Sequence, residues 1–575
     1  MRIIRTGFPA LTLALLFIWP AQGAIAQVDP PDRVARLNLI EGAVSYLPSG
    51  GQENDWVTAS LNRPLTTGDR LWADANSRSE LHIGSTAIRM DSNTGISFLN
   101  LDDTTVQIRL SDGAMIVRLR RLDPGNSFEV DTPNLAFTIN RPGDYRLETD
   151  PNSNRTAITV RQGEGEVVGG GRSWQVISDQ QAIFTGTDVL DYDLKDADAQ
   201  PLTDFDKWAR SRDAHEDSIA APRYVSAEMT GYEDLDAYGR WINEPGYGWC
   251  WGPAGVQAGW APYRYGHWVW VAPWGWTWVE DEPWGFAPFH YGRWAYFRAS
   301  WFWVPGPIAV RPVYAPALVA WIGGGGFGLS LNVGSGIGWF PLGPREVFVP
   351  GYHVSERYVT NINITNTVVD RVTVINAYHG GNVQSMTYVN RAAPNAIAVV
   401  SRETFVNARP VARNVVSVSN QALASAQVAR NVQAVPERAS VYGPGNHNAP
   451  HPPAQLINRS VVAKRIPPTA PNQFEQPRQQ ATPADRPPNR TGTQQIPPSR
   501  VEPQQKTQTV PNRPNPSVEK SQPQQPQPLA RPAPAVRPPT AREQSDTAAK
   551  QKAWQNAHPR NDQPPAKKKV FLQTP

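Results

Sequence analysis

The sequence predicts a mainly β protein: an antiparallel β-sandwich, then a Trp-rich β-hairpin repeat domain, then a long disordered Pro/Gln-rich tail. Three observations carry this. Residues from about Arg33 to Gly186 alternate apolar and polar with period two between turn residues. Thirteen of the 21 tryptophans fall between Trp241 and Trp303, at regular spacing. From Pro450 onward the chain holds 27 of its 56 prolines and only three aromatics, Phe474, Trp554 and Phe571.

In chain order, residues 1–26 read as a secretory signal peptide. Arg2 and Arg5 precede the apolar run Leu11 to Trp19, Pro20 breaks it, and Ala24-Ile25-Ala26 offers a small-residue cleavage site. The apolar run is shorter than the ~20 residues of a spanning helix. The expectation is export to the periplasm or cell surface of a bacterium, with no transmembrane segment after cleavage; the competing reading is an uncleaved anchor.

Residues 30–187 supply the sandwich. Val106/Ile108/Leu110 and Met115/Val117/Leu119 are two alternating runs around a turn at Ser111-Asp112-Gly113, and Leu135/Phe137/Ile139 follow Asp131-Thr132-Pro133. Each strand has one apolar face, and stacking two sheets buries those faces. The segments Phe128-Glu129-Val130-Asp131-Thr132-Pro133, Tyr145-Arg146-Leu147 and Thr159 through Val167 resemble the core of a FecR-type domain. That resemblance covers roughly a quarter of the chain. It implies a periplasmic domain that receives a signal from an outer-membrane transporter and passes it to a sigma factor. The chain departs from the classical members, since a signal peptide replaces the cytoplasmic anti-sigma segment and transmembrane helix.

Residues 188–236 form an acidic, partly helical connector, with Phe205, Trp208 and Ala209 on one helical face. The repeat domain, 237–345, follows. Tyr238-Gly239-Arg240-Trp241 recurs as Tyr265-Gly266-His267-Trp268 and Tyr291-Gly292-Arg293-Trp294. Each is followed by a Trp-x-Trp pair: Trp249/Trp251, Trp276/Trp278 and Trp301/Trp303. Each unit reads as a hairpin, and three marginal hairpins are expected to stack and share aromatic faces. Together with Tyr224 to Leu235 and Gly338-Trp339-Phe340-Pro341-Leu342, the repeats resemble an uncharacterised Trp-rich domain found downstream of FecR-type domains in envelope proteins. That resemblance implies architecture and location only.

Residues 346–448 read as a weakly structured extension in which Asn361-Ile362-Asn363-Ile364-Thr365-Asn366 through Val374 alternates like an edge strand. Residues 449–575 are the disordered tail, too poor in apolar residues to offset its ordering entropy.

Charge follows this division. The tail carries 19 Lys/Arg against 7 Asp/Glu, whereas Gln27 to Ala449 carries 34 against 44, a net of −10. The folded part is acidic, so no nucleic-acid partner is expected. The basic tail, ending in Lys567-Lys568-Lys569, is either a solubilising linker or a contact for anionic wall polymer or lipid headgroups.

The single cysteine, Cys250, excludes an internal disulfide and a thiolate metal site, and the nine histidines show no HExxH spacing. No metal and no cofactor are expected. The candidate ligand-binding aromatics are Trp249, Trp251, Trp276, Trp278, Trp301 and Trp303, whose rings would stack on the apolar faces of sugars; the alternative is that they form the core of a small repeat domain. The acids Glu280-Asp281-Glu282, with His267 or His290, are the one conceivable hydrolytic group, and three consecutive acids beside Pro283 fit a solvated turn better. The expected function is therefore a non-enzymatic exported envelope scaffold or binding protein whose partner is a cell-wall glycan or an envelope protein. The alternative is a periplasmic signalling accessory related to FecR-type sensors, and a cell-wall hydrolase ranks third.

Overall fold

The computed structural model describes residues 29–150, 152–199, 201–309, 311–322, 329–331, 334–380, 386–447, 449–474 and 530–557. The segment expected to be a signal peptide, Gly323 to Gly326 and Lys567 to Lys569 lie outside them.

The protein is mainly β, with several sheets. Two layers make the sandwich. In one, Ala35–Glu41 pairs with Arg78–Ile83, which pairs with Thr86–Met90. That layer continues through Gly143–Asp150, Arg155–Gln162, Gln180–Thr185 and Asp191–Asp196. The other layer runs from Val44–Leu47 through Arg70–Ala73 and Thr94–Leu101 to Ser127–Asp131, Ala136–Ile139, Glu164–Gly169 and Arg172–Ile177. Leu37, Leu81, Val117 and Leu147 of the first layer meet Phe98, Ile108, Phe137 and Val167 of the second in one core.

The turn expected at Ser111-Asp112-Gly113 is a bend inside one strand, Thr105–Leu119. Its first half pairs with Thr94–Leu101 and its second half with Thr86–Met90 and Gly143–Asp150, so the strand passes from one layer into the other. Gly113 sits at φ +85°, and a Cβ there would stand 2.6 Å from the Asn93 carbonyl. The turn-forming residues thus make a corner, as bulged strands do where sheets exchange. Ser127–Asp131 also runs parallel to Thr105–Arg109, so the sandwich is not wholly antiparallel.

Asp191–Asp196 is an edge strand of the sandwich, which shortens the expected connector. Helix Asp204–Glu216 follows, started by a capping box between Thr203 and Asp206. Its Phe205 and Ala209 pack on Ala114 and Ile116.

Three hairpins then share one register. Trp241 lies opposite Trp251, Trp268 opposite Trp278, and Trp294 opposite Trp303. The glycine of each Tyr-Gly-x-Trp segment has the same cause. A Cβ would stand 2.2 Å from the Trp251 ring at Gly239, 2.8 Å from the Trp278 ring at Gly266 and 2.4 Å from Trp303 Nε1 at Gly292. The second indole of each Trp-x-Trp pair occupies the space a side chain would need.

The hairpins do not stack as a linear array of three. Gly239–Glu244/Gly248–Pro253 and Arg293–Phe297/Ser300–Val304 join through Trp251 and Trp303 into one four-stranded sheet, while Gly266–Val271/Gly275–Glu280 stands as its own pair. What unites them is a shared core to which the extension contributes. Strands Val319–Ile322, Gly334–Pro341 and Ala398–Ser401 form a further sheet, and Trp339 and Phe405 pack against Trp268 at 5.3 and 5.5 Å.

The edge strand expected over Asn361 to Val374 is instead two helices, Glu356–Ile364 and Arg371–Gly380. Ser355 caps the first by accepting from the Tyr358 N–H, and Tyr358, Val359 and Ile362 turn one helical face to a buried cluster. The apolar residues that alternate over this stretch also satisfy a helical face, and tertiary packing selects it.

Residues 449–474, expected within the disordered tail, lie on the body. Val461–Ala463 is buried and pairs in parallel with Ala530–Pro532, and Val462 N–H donates to the Thr132 carbonyl. A short apolar run too small to register in the composition is enough to dock there. Gln473 is buried where the two units meet: its carbonyl accepts from Ala272 N–H of the second hairpin and its amide donates to Thr66 of the sandwich. Helix Ala541–Ala557 buries no residue. Residues 475–529 and 558–575 lie outside the described residues.

Replacing Gly239 by Ala forces the Trp251 indole to move. We expect the protein to lose about 1–3 kcal/mol, measured as a lower urea midpoint with the slope unchanged.

Candidate functional site

Five of the six candidate aromatics are buried. Trp251, Trp276, Trp278, Trp301 and Trp303 are 0–8% exposed, so they serve as core and present no ring to solvent. Their polar atoms are largely spent inside: Trp251 Nε1 donates to the Leu235 carbonyl, Trp303 Nε1 to the Tyr291 carbonyl, both at 2.8 Å, and Trp276 Nε1 to the Ala434 carbonyl at 3.1 Å. The covering material comes from segments that the repeat itself does not announce, such as Trp284 against Trp251 and Phe405 against Trp276.

Trp249 is the exception, at 45% exposure. The alternation that buries Trp251 places Trp249 on the same face, nearer the hairpin tip, where the core ends. Tyr224 packs against it at 4.8 Å between ring centroids and stacks on Trp241 at 4.4 Å. Trp241 Nε1 in turn donates to Asp236. The exposed ring is therefore backed by two partly buried ones. A second aromatic group sits at the hairpin tips: Tyr247, 41% exposed, stacks on Phe297, which stacks on Phe302. An ion pair between Arg298 and Glu244 ties the two tips together. Fixed rings with charged and amide neighbours can take the apolar face of a sugar or an apolar side chain while the rim hydrogen-bonds.

The acidic run does not form a reacting pair. Strand alternation turns Glu280 inward and Asp281 outward. Glu280 is fully buried, accepts from Trp278 Nε1 at 2.8 Å, and burial raises its carboxyl well above the ordinary range. Asp281 lies on the surface 3.5 Å from His267 Nδ1. His290 is buried, 2.8 Å from the Ala315 carbonyl, and burial lowers it to about 3, a neutral imidazole. Burial likewise pushes the Cys250 thiol up to about 11.

A cluster absent from the sequence reading sits where sandwich, helix and Trp-rich unit meet. Cross-strand pairing sets Arg36 opposite His82 and Glu80 opposite Arg89, on the sheet face turned away from the sandwich core. Helix Asp204–Glu216 covers that face. Arg89 donates to Glu80 at 2.6 Å, Asp213 at 2.9 Å and Glu216 at 3.0 Å, and Arg212 reaches Glu80 at 2.7 Å. Arg36 binds Glu233 at 2.8 Å and Asp234 at 2.6 Å, from the segment leading into the first hairpin, and donates to the Pro283 carbonyl. His82, 2% exposed, lies among Glu80, Glu216 and Glu233. Burial alone would lower its pKa, but the charges of Glu233 and Glu216 outweigh it and hold it at about 10. A charged stripe on the outer face of a strand reads as solvated from sequence; only the helix residues 130 positions later show that it is covered.

Comparison with known proteins gives little beyond location in sequence. Residues 232–346 match a family of unknown function (DUF6600). No curated protein matches the chain. Among solved structures, two crystal structures of a "putative anti-sigma factor" from Parabacteroides distasonis ATCC 8503 align with TM-score 0.21, at 17% and 16% identity, over 23% of this chain. This chain spans 61% of their length.

Arg36→Ala would strand Glu233 and Asp234 without their cation. We expect a loss of about 3–5 kcal/mol, read by equilibrium denaturation. For Glu280 the sign is opposite to that of a paired carboxylate. Its folded pKa is raised, so the stability it lends is complete below the ordinary carboxylate range and is lost as pH rises through the folded value. Glu280→Gln should therefore flatten the decline in melting temperature as pH rises above the ordinary carboxylate range.

Proposed function

We propose that this protein is a non-enzymatic cell-envelope scaffold or binding protein that docks a glycan or protein component of the envelope on the aromatic face around Trp249. The observation that carries this is Trp249 itself: a large exposed indole packed on Tyr224, which in turn stacks on Trp241, in a unit whose other candidate rings are used as core. A binding surface needs rings whose orientation is settled before the ligand arrives, because ordering them on contact costs affinity. The groups that could have done acid–base work point the same way, since Glu280 and His290 are fully buried. The envelope location rests on the signal-peptide pattern of residues 1–26. The acidic body disfavours nucleic acid, and no helix among the described residues is long and apolar enough to cross a membrane.

The test is a pull-down of the protein with isolated peptidoglycan and with envelope extract, following Trp fluorescence. Trp249→Ala should lower binding about tenfold or more while leaving the melting temperature within about 2 °C, since an exposed ring contributes little to the fold. Binding that survives Trp249→Ala would move the site elsewhere. A transcriptional change on deletion with no envelope binding would favour the signalling accessory.

A further inference from the structure

We propose that Glu80, His82 and Glu216 form a buried three-ligand site for one divalent transition-metal ion, zinc above others, at the junction of sandwich, helix and Trp-rich unit. The three side chains are buried and offer ligand atoms within 4.8 Å of one another. Neither ring nitrogen of His82 has a hydrogen-bond partner, although both are shielded from water. Its pairing with Glu80, Glu216 and Glu233 is thus electrostatic, at distances longer than a formed hydrogen bond, which leaves room for an ion between them.

The distances point to what that is. His82 Nε2 stands 3.4 Å from Glu80 Oε1 and 3.4 Å from Glu216 Oε1. A charge-assisted N–H···O bond would draw these atoms to about 2.7–2.9 Å. Two ligands bound tetrahedrally at about 2.0–2.2 Å from one ion stand about 3.4 Å apart. The other nitrogen, Nδ1, faces Glu233 Oε1 at 3.7 Å, on the side where a metal-bound histidine usually turns its remaining N–H to a carboxylate.

Charge agrees. Through shared ion pairs the cluster gathers six carboxylates, Glu80, Asp213, Glu216, Asp217, Glu233 and Asp234, against the guanidiniums of Arg36, Arg89, Arg120 and Arg212. Counted as ionised, these groups leave two negative charges, one of them at the half-exposed Asp217, and a dication in place of the His82 proton would offset both. Glu216 Oε1 accepts only from Arg89 and keeps a lone pair for the ion, whereas Glu80 Oε1 accepts from both Arg212 and Asn38, so the ion would take the place of the Asn38 amide there. One imidazole with two carboxylates suits zinc, with manganese next. A site with no opening would be filled as the chain folds, and its binding energy would count as folding energy.

The experiment is elemental analysis of the full-length protein, purified without chelator, followed by chelation and refilling with Zn²⁺ or Co²⁺. The expected result is one ion per chain, a melting temperature that falls on chelation and recovers on refilling, and visible absorption from bound Co²⁺. His82→Gln should weaken binding at least about 100-fold, and Glu233→Gln, which keeps all three ligands, about 10–100-fold. His379→Gln, at an exposed His–Glu pair elsewhere, should change nothing. Should His82→Gln fail to fold, the Co²⁺ spectrum and the Glu233→Gln affinity decide. Protein that is metal-free and unmoved in melting temperature by added Zn²⁺, or an ion retained in folded His82→Gln, overturns the proposal.

Discussion

An indole seated over a glycine is the constraint on which the Trp-rich unit rests. In each hairpin the first strand must come close enough for the second tryptophan of the Trp-x-Trp pair to lie against its backbone, and only glycine leaves that space. The contact fixes the register, and the register decides which rings face inward. Trp251 and Trp303 then meet across two hairpins, and Trp268 and Trp278 face Trp339. With few aliphatic side chains available, edge-to-face and tilted ring pairs fill the volume, each contributing about 0.5–1.5 kcal/mol beyond its buried area.

The union of this unit with the sandwich is of another kind. Val34, just before the sandwich's first strand, reaches into the aromatic core, and Arg36 of that strand adds buried ion pairs to Glu233 and Asp234. Buried ion pairs repay their desolvation only when the geometry is fully satisfied, so such a junction is selective before it is strong. Asn62 adds to it, donating to the Glu280 and Glu282 carbonyls. One mutual arrangement of the two units satisfies all these partners together.

How far the sequence revealed this depends on the range of the interactions. The hairpins were legible because strand, turn and strand lie within sixteen residues and the glycine recurs with its tryptophan. The sandwich was legible from its period-two alternation, but the corner at Gly113 resembled a turn because the same residues make both. The helices over 356–380 were hidden by β-branched and asparagine residues whose spacing serves either period. That Trp276 and Trp278 are core was one of the two readings open in the sequence, and what decides it, Trp339 and Phe405, lies sixty to one hundred and thirty positions away. The cluster around His82 was invisible for the same reason, with partners near positions 36, 80, 89, 216 and 233. What local pattern showed of the candidate site was the chemical kind of its residues; which ring stays outside was settled by distant chain.

Gln473 gives chain order a kinetic meaning. The clamp that ties the second hairpin's Ala272 to Thr66 is supplied by a residue synthesised some two hundred positions after Ala272 and four hundred after Thr66. Segments fold as they emerge, N-terminal portions first. Both bodies can therefore be largely formed while the latch between them has yet to leave the ribosome, and final locking is timed by delivery of the C-terminal quarter. A chain trimmed before that residue would keep the Arg36 and Asn62 contacts and lose this last tie.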